Sequence, residues 1–218
     1  MHVSAPSDLI DYVESYLPDD ETLIEARIRA SDLGCLPLSP AVGTTLRFLA
    51  TTLQARAVVE IGTGAGVSGL YLLRGMAEDG VLTTIDRESE YQRTARRTFL
   101  SAGFTASRMR LIMGHALEVL PRLTTGGYDL VFVDAAKIEY PHYYAQAVQL
   151  LRPGGVIVFH EISAERIGDS TRRDPESLAL RELSRTIRED ERLVPALLPV
   201  GGGLLVATAC APTLTPAN

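Results

Sequence analysis

Short apolar runs rich in β-branched residues alternate along this chain with longer stretches whose apolar positions recur at helical spacing. Three helices are predicted first: 7–17 with Ser7 or Asp8 as cap, 20–33 ending at Gly34, and 40–53 with Ser39 as N-cap and Pro40 in the first turn. "RAVVEI" (56–61) then reads as a buried strand, followed by a glycine-rich loop and a helix over about 66–77. Strands at 81–86, 108–113, 128–134 and 154–160 follow, separated by a helix at 88–102, a short helix ending at Pro121, and a helix at 140–151. A polar loop, 163–175, precedes a long helix, 176–190, and the chain closes with two strands joined at Gly201–Gly203, a hairpin signal.

Strands that alternate with helices imply right-handed crossovers and a mostly parallel sheet with helices on both faces. Ligands of such sheets bind outside the carboxyl ends of the strands. Those ends carry Glu60–Ile61, Asp86, Met113–Gly114, Asp134 and His160–Glu161. Four of the five bear an ionisable group, which marks this edge as the candidate active site.

Composition narrows the class. A chain of 218 residues fits one domain with a proper core, and 46% hydrophobic with 22% charged residues is ordinary for a globular protein. Basic residues number 21 against 27 acidic, a net charge of −6 that argues against a nucleic-acid partner bound through a broad basic surface. No apolar run is long enough to span a bilayer, and the acidic, interrupted amino terminus does not read as a secretory signal. Cys35 and Cys210 lie far apart without metal-type spacing, which fits a reducing cytoplasm.

The densest chemistry lies in "VEIGTGAGVSG" (59–69). Gly64-x-Gly66-x-x-Gly69 matches a dinucleotide-binding pattern, but the same glycines would serve a strand-to-helix turn that needs only close packing. Asp86, at the end of the next strand, suits two ribose hydroxyls, in NAD or in S-adenosylmethionine alike. Glu60 discriminates: a pyrophosphate would meet it as a like charge, whereas a cofactor carrying an ammonium and a sulfonium would not. Ser68, opening the helix, adds a hydroxyl and helix amides for a carboxylate.

"VEIGTGAGVSGLYLL", "LTTID", "YDLVFVDAAKIEYPHYY" and "LLRPGGVIV" together resemble the S-adenosylmethionine-dependent O-methyltransferases of the catechol and caffeoyl-CoA type, bacterial and actinobacterial members above all. The likeness runs from about Leu36 to Ala207. It implies one methyltransferase domain: a helical N-terminal cap (1–53), a Rossmann-like core with a seven-stranded, mostly parallel sheet and an antiparallel C-terminal hairpin supplying an edge strand (54–210), and a tail (211–218). Carried over by motif, Glu60, Gly62, Gly64 and Ser68 line the methionine end of the cofactor and Asp86 holds the ribose. His115 and Ala116 flank the adenine, Leu38 packs on the cofactor, and Asp134 borders it. His115 reads equally as a solvated residue at a strand end. The resemblance also implies a small hydroxylated, phenolic or catechol-like acceptor and a homodimer.

Family members use a divalent cation to orient the acceptor and lower its pKa, with ligands from the ends of strands four and five. Asp134 matches the first ligand, and Lys137 matches a lysine treated in the family as a general base. At strand five the usual Asp-Asn is replaced by His160-Glu161. Asp134, His160 and Glu161 could form a metal set leaning away from Mg²⁺. Alternatively the metal is lost and His160 serves as base, or the chain binds cofactor without transferring. The replacement favours a metal-free or weakly metal-binding site over a tight Mg²⁺ site. An NAD-dependent oxidoreductase and a non-catalytic S-adenosylmethionine-binding protein remain the rival readings. Arg166, Arg172 and Arg173, in the loop after strand five, either meet an acidic acceptor or are simply solvated.

Overall fold

The β-branched runs form one sheet in a computed structural model that describes residues 7–210. Its strands are β1 (Ala57–Ile61), β2 (Val81–Asp86), β3 (Met109–Met113), β4 (Tyr128–Val133), β5 (Leu151–Phe159), β6 (Leu193–Leu198) and β7 (Leu204–Ala209), in the order β3-β2-β1-β4-β5-β7-β6. The first five pair in parallel, and β7 pairs antiparallel with both β5 and β6. The C-terminal hairpin therefore places its antiparallel strand inside the sheet. The edge strand, β6, runs with the parallel five, a refinement of the expected antiparallel edge.

The helices are α1 (Ser7–Ser15), α2 (Glu21–Asp32), α3 (Pro40–Thr52), α4 (Val67–Gly75), α5 (Ser89–Ser101), α6 (Ala116–Val119), α7 (Tyr140–Leu150), α8 (Ala164–Gly168) and α9 (Pro175–Glu189). Capping fixes two of the predicted starts: Asp20 accepts from Leu23 N–H, and Ser39 accepts from Val42 N–H with Pro40 at the first helical position. Alternation along β1 sends Val59 and Ile61 into a core shared with α7 and α9, and Val58 into a second core under α3, α4 and α5. Both faces are thus covered, as parallel strands buried on both sides require.

Two differences from the sequence reading exceed a residue or two. The predicted polar loop at 163–175 contains α8. Strand β5 begins at Leu151, not 154, because the "RPGG" tract is carried as an irregular edge, with a register shift against β4 between Tyr128 and Leu130. The tail, 211–218, lies outside the described residues. The connection between α2 and α3 reaches over the carboxyl ends of β1 and β2, held by Arg27, whose Nη1 donates to Leu38 O at 2.6 Å. Glu14 of α1 adds a second tie, accepting from Ser39 Oγ at 2.9 Å and from Ala41 N–H at 3.1 Å.

Candidate active site

Two constellations sit at the carboxyl edge of the sheet. The first is a cavity of about 630 Å³ lined by the 33–38 connection, the glycine loop after β1, and the ends of β2, β3 and β4. Leu38, Gly62, Gly64, Ser68, Asp86, His115, Ala116 and Asp134 all face it. The loop can make this wall only because of its glycines. Gly62 takes φ +96°, and a Cβ there would lie 2.0 Å from Asp134 O. Gly66, at φ 88°, opens α4 with no side-chain cap, so the first amides of that helix keep free donors.

Asp86 organises the loop from below. Its Oδ2 accepts from Thr63 N–H at 2.9 Å and Gly64 N–H at 3.1 Å, and its Oδ1 accepts from Glu88 N–H at 3.0 Å. Carboxylate oxygens have lone pairs to spare, so these bonds leave room for ligand hydroxyls. At the opposite rim His115 Nε2 lies 3.2 Å from Glu139 Oε1, and the Tyr143 hydroxyl donates to Glu139 Oε2. Burial and the Glu139 carboxylate together push the Tyr143 phenol well above its usual range. His115 is thus neither simply solvated nor a lone ligand but one end of a chain spanning β3, the turn after β4, and α7.

Glu60 departs from expectation. It does not line the cavity; it stands behind the loop, 0% exposed, on the α4 side of the sheet. Its Oε2 accepts from Thr84 Oγ1 at 2.5 Å, Thr84 Oγ1 lies 2.7 Å from Thr63 Oγ1, and Gln92 Nε2 donates to Thr63 Oγ1 at 2.9 Å. Its Oε1 is buried with no hydrogen-bond partner among the described residues. Burial raises the Glu60 carboxyl to about 8, against weaker opposing contributions from Ser68 and Thr84.

The second constellation is at the end of β5. His160 is 5% exposed, its backbone N–H donates to Val133 O, and its carbonyl accepts from the Tyr140 hydroxyl at 3.1 Å. The imidazole Nδ1 lies 3.0 Å from Asp134 Oδ1 but off the line of a hydrogen bond. Its Nε2 faces the β6–β7 turn, 3.4 Å from where a Gly201 Cβ would stand. Next in sequence, Glu161 has φ 55°, and its carboxylate pairs with Lys137.

The sequence from Leu17 to Ala209 matches the family model for O-methyltransferases. The chain belongs to the O-methyltransferase family. A Mycolicibacterium vanbaalenii protein that carries an O-methyltransferase name is 53% identical over 200 residues, 91% of this chain and 88% of its own. A Corynebacterium glutamicum protein of known structure superposes with a TM-score of 0.88 at 35% identity, covering 94% of this chain and 96% of that one. The O-methyltransferase TomG of Streptomyces achromogenes, involved in tomaymycin synthesis and solved with S-adenosylmethionine, gives a TM-score of 0.85 at 30% identity over 94% and 96% of the two chains.

In this methyltransferase the three donors expected for a divalent cation do not come together as a set. Glu161 is turned to Lys137, His160 Nδ1 is turned to Asp134, and no group of three His, Cys, Asp or Glu side chains among the described residues could hold a metal ion. The residues present do not fit the family's cation. The arginines after β5 are also committed locally: Arg166 pairs with Glu176 and Asp174, Arg172 with Asp174, and Arg173 donates to Ser170 O. Family membership does not favour the oxidoreductase alternative. Sequence reasoning missed Glu139, Tyr143, Cys35 and Tyr91 as cavity residues. Only the closeness of Tyr91 to Asp86 in sequence signalled any of them.

Proposed function

We propose that this methyltransferase transfers a methyl group from S-adenosylmethionine to the hydroxyl of a small acceptor, phenolic or catechol-like in class. The observation that carries the reading is the cavity itself, which puts the Asp86 carboxylate and the uncapped start of α4 on one wall of a family member's sheet edge. Asp86 would hold the ribose hydroxyls. Gly62 and Gly64 let the backbone come close, and Ser68 with the first amides of α4 would take the cofactor's carboxylate. Leu38 and Ala116 supply apolar contact, with His115 at the adenine end. The cofactor supplies an already activated methyl group, so the protein's work is to align the acceptor and receive its proton.

For that proton the reading assigns His160 at the end of β5, whose imidazole Nδ1 lies 3.0 Å from Asp134 Oδ1. Lys137, paired with Glu161, is a positioning group for the same strand end. No step is routed through a metal.

Assembly and setting follow as part of the same proposal. Leu9, Ile10, Tyr12, Tyr16, Ile24, Ile28 and Phe48 are large apolar side chains exposed on α1, α2 and α3 and the connection after α1, which supports a homodimer formed through the helical cap (1–53) over the core (54–210). Free Cys35 and Cys210 support a reducing cytoplasm, and the net charge of −6 supports a small-molecule partner over nucleic acid. Calorimetric titration with S-adenosylhomocysteine, with NAD⁺ as control, tests the reading. Saturable one-site binding weakened by Asp86→Ala is expected, and binding of NAD⁺ alone would sink it.

A further inference from the structure

A fully buried carboxyl group one layer behind the cavity wall is unexplained by cofactor contact, since Glu60 does not reach the cavity. Its surroundings favour one place for its proton. Gln92 Nε2 donates to Thr63 Oγ1, either hydroxyl of the Thr63–Thr84 pair can donate to the other, and Thr84 Oγ1 donates to Glu60 Oε2. With Thr84 as its donor, Oε2 is already engaged as an acceptor. The exchangeable proton then belongs on Oε1, the buried oxygen with no hydrogen-bond partner among the described residues. Ser68, which lines the cavity, favours its departure.

The charged groups that Glu60 feels are Asp86 from the end of β2 and Asp134 from the end of β4, both of which disfavour a further negative charge. On β1 the ladder neighbours of Glu60 are Thr84 on β2 and Phe132 on β4, neither charged. Ser68 of α4 adds a neutral polar group, and Gln92 of α5 joins the chain further on, through Thr63. Among the described residues no Lys, Arg or His side chain pairs with Glu60. A ligand bringing positive charge to the other side of the loop would supply what is missing.

We propose that Glu60 is a proton-linked counter-charge that discriminates the sulfonium methyl donor from its thioether product. The inference rests on the S-adenosylmethionine reading above. In the empty protein Glu60 carries its proton on Oε1. Binding of the sulfonium cofactor expels that proton past Ser68 to solvent and leaves a carboxylate behind the loop. Methyl transfer breaks the S–CH₃ bond with its electron pair left on sulfur, forms the acceptor O–CH₃ bond, and releases the acceptor's proton. With the sulfonium charge gone, Glu60 takes one proton back from solvent, and the attraction that favoured the donor is removed before the product leaves.

Calorimetry of S-adenosylmethionine and S-adenosylhomocysteine, each titrated in phosphate and in Tris, counts the protons released by each ligand. The wild-type protein is expected to release more protons with S-adenosylmethionine than with S-adenosylhomocysteine at pH 7. The affinity ratio of donor to product should rise between pH 6 and 8, at most about tenfold per pH unit. In Glu60→Gln both differences should vanish while S-adenosylhomocysteine still binds. Equal proton release by the two ligands in the wild type would overturn the proposal without needing the variant. So would a difference that survives in Glu60→Gln, which would hand the role to Asp86 or Asp134. Failure of the wild type to bind either ligand would instead sink the cofactor reading, and this proposal with it.

Discussion

Replacing Glu60 by glutamine is expected to stabilise the cofactor-free protein, and by an amount that grows with pH. Burial raises the folded-state carboxyl to about 8 from an ordinary value of 4.5. The folded chain therefore binds more protons than the unfolded one between those two values. Stability is fully present below about pH 4.5 and is lost as pH rises through the folded value, at most about 1.4 kcal/mol per unit. Some two and a half units of that window lie below pH 7, which puts the loss there at about 3 kcal/mol. A glutamine has no proton to lose. Its carbonyl oxygen can keep the Thr84 hydroxyl bond, and its amide can point at Ser68.

For a chain of this size about 3 kcal/mol corresponds to a Tm rise of roughly 6–12 °C. Thermal unfolding of the two proteins, followed by circular dichroism from pH 5 to 8.5, reads the difference directly. Groups that titrate in both proteins cancel in that difference. Near-equal Tm values at pH 5 and a gap that widens to pH 8 are expected. A gap that does not change with pH, or a variant less stable than the wild type at pH 8, would refute the argument that Glu60 is buried neutral.

Three further outcomes are expected. Gly62→Ala should cost several kcal/mol, because φ +96° strains any side chain and the new Cβ would meet the Asp134 carbonyl at 2.0 Å; an unchanged Tm would show that the loop can move aside. Asp129→Asn should destabilise by about 1–3 kcal/mol and flatten the acid limb of the stability profile. Burial alone would raise Asp129, but bonds from Ala57 N–H, Arg152 and Arg56 N–H outweigh it and lower its pKa, so that stability is present above the ordinary carboxyl range and lost as pH falls through the folded value. His160→Ala should lower kcat by about 10²–10⁴-fold with S-adenosylhomocysteine affinity unchanged, and a chelator should leave wild-type turnover intact. Loss of wild-type activity on chelation, restored by a divalent ion, would reverse the reading of this strand end.

What the sequence made legible is whatever depends on periodicity and on strand ends. Alternation along 57–61 and the glycines after it were enough to place a loop at the edge of a parallel sheet. Direction was harder. That Glu60 ends a strand is a fact of sequence; that it turns away from the cavity follows from pairing with Thr84, 24 positions away, and from α4 and α5 packing on the same face. The His115–Glu139–Tyr143 chain was invisible for the same reason, since three elements must converge before any of its members has a partner. The metal question shows the limit most sharply. Asp134, His160 and Glu161 have the right chemistry for a cation and sit on adjacent strand ends, yet the ion pair between Lys137 and Glu161 takes one donor away. A lysine three residues beyond the first candidate donor looked like a base in the sequence; in the fold it pairs with Glu161, the candidate third donor, so Lys137→Met should make the site bind Mn²⁺ more tightly if that ion pair, and not donor geometry, is what disperses the set.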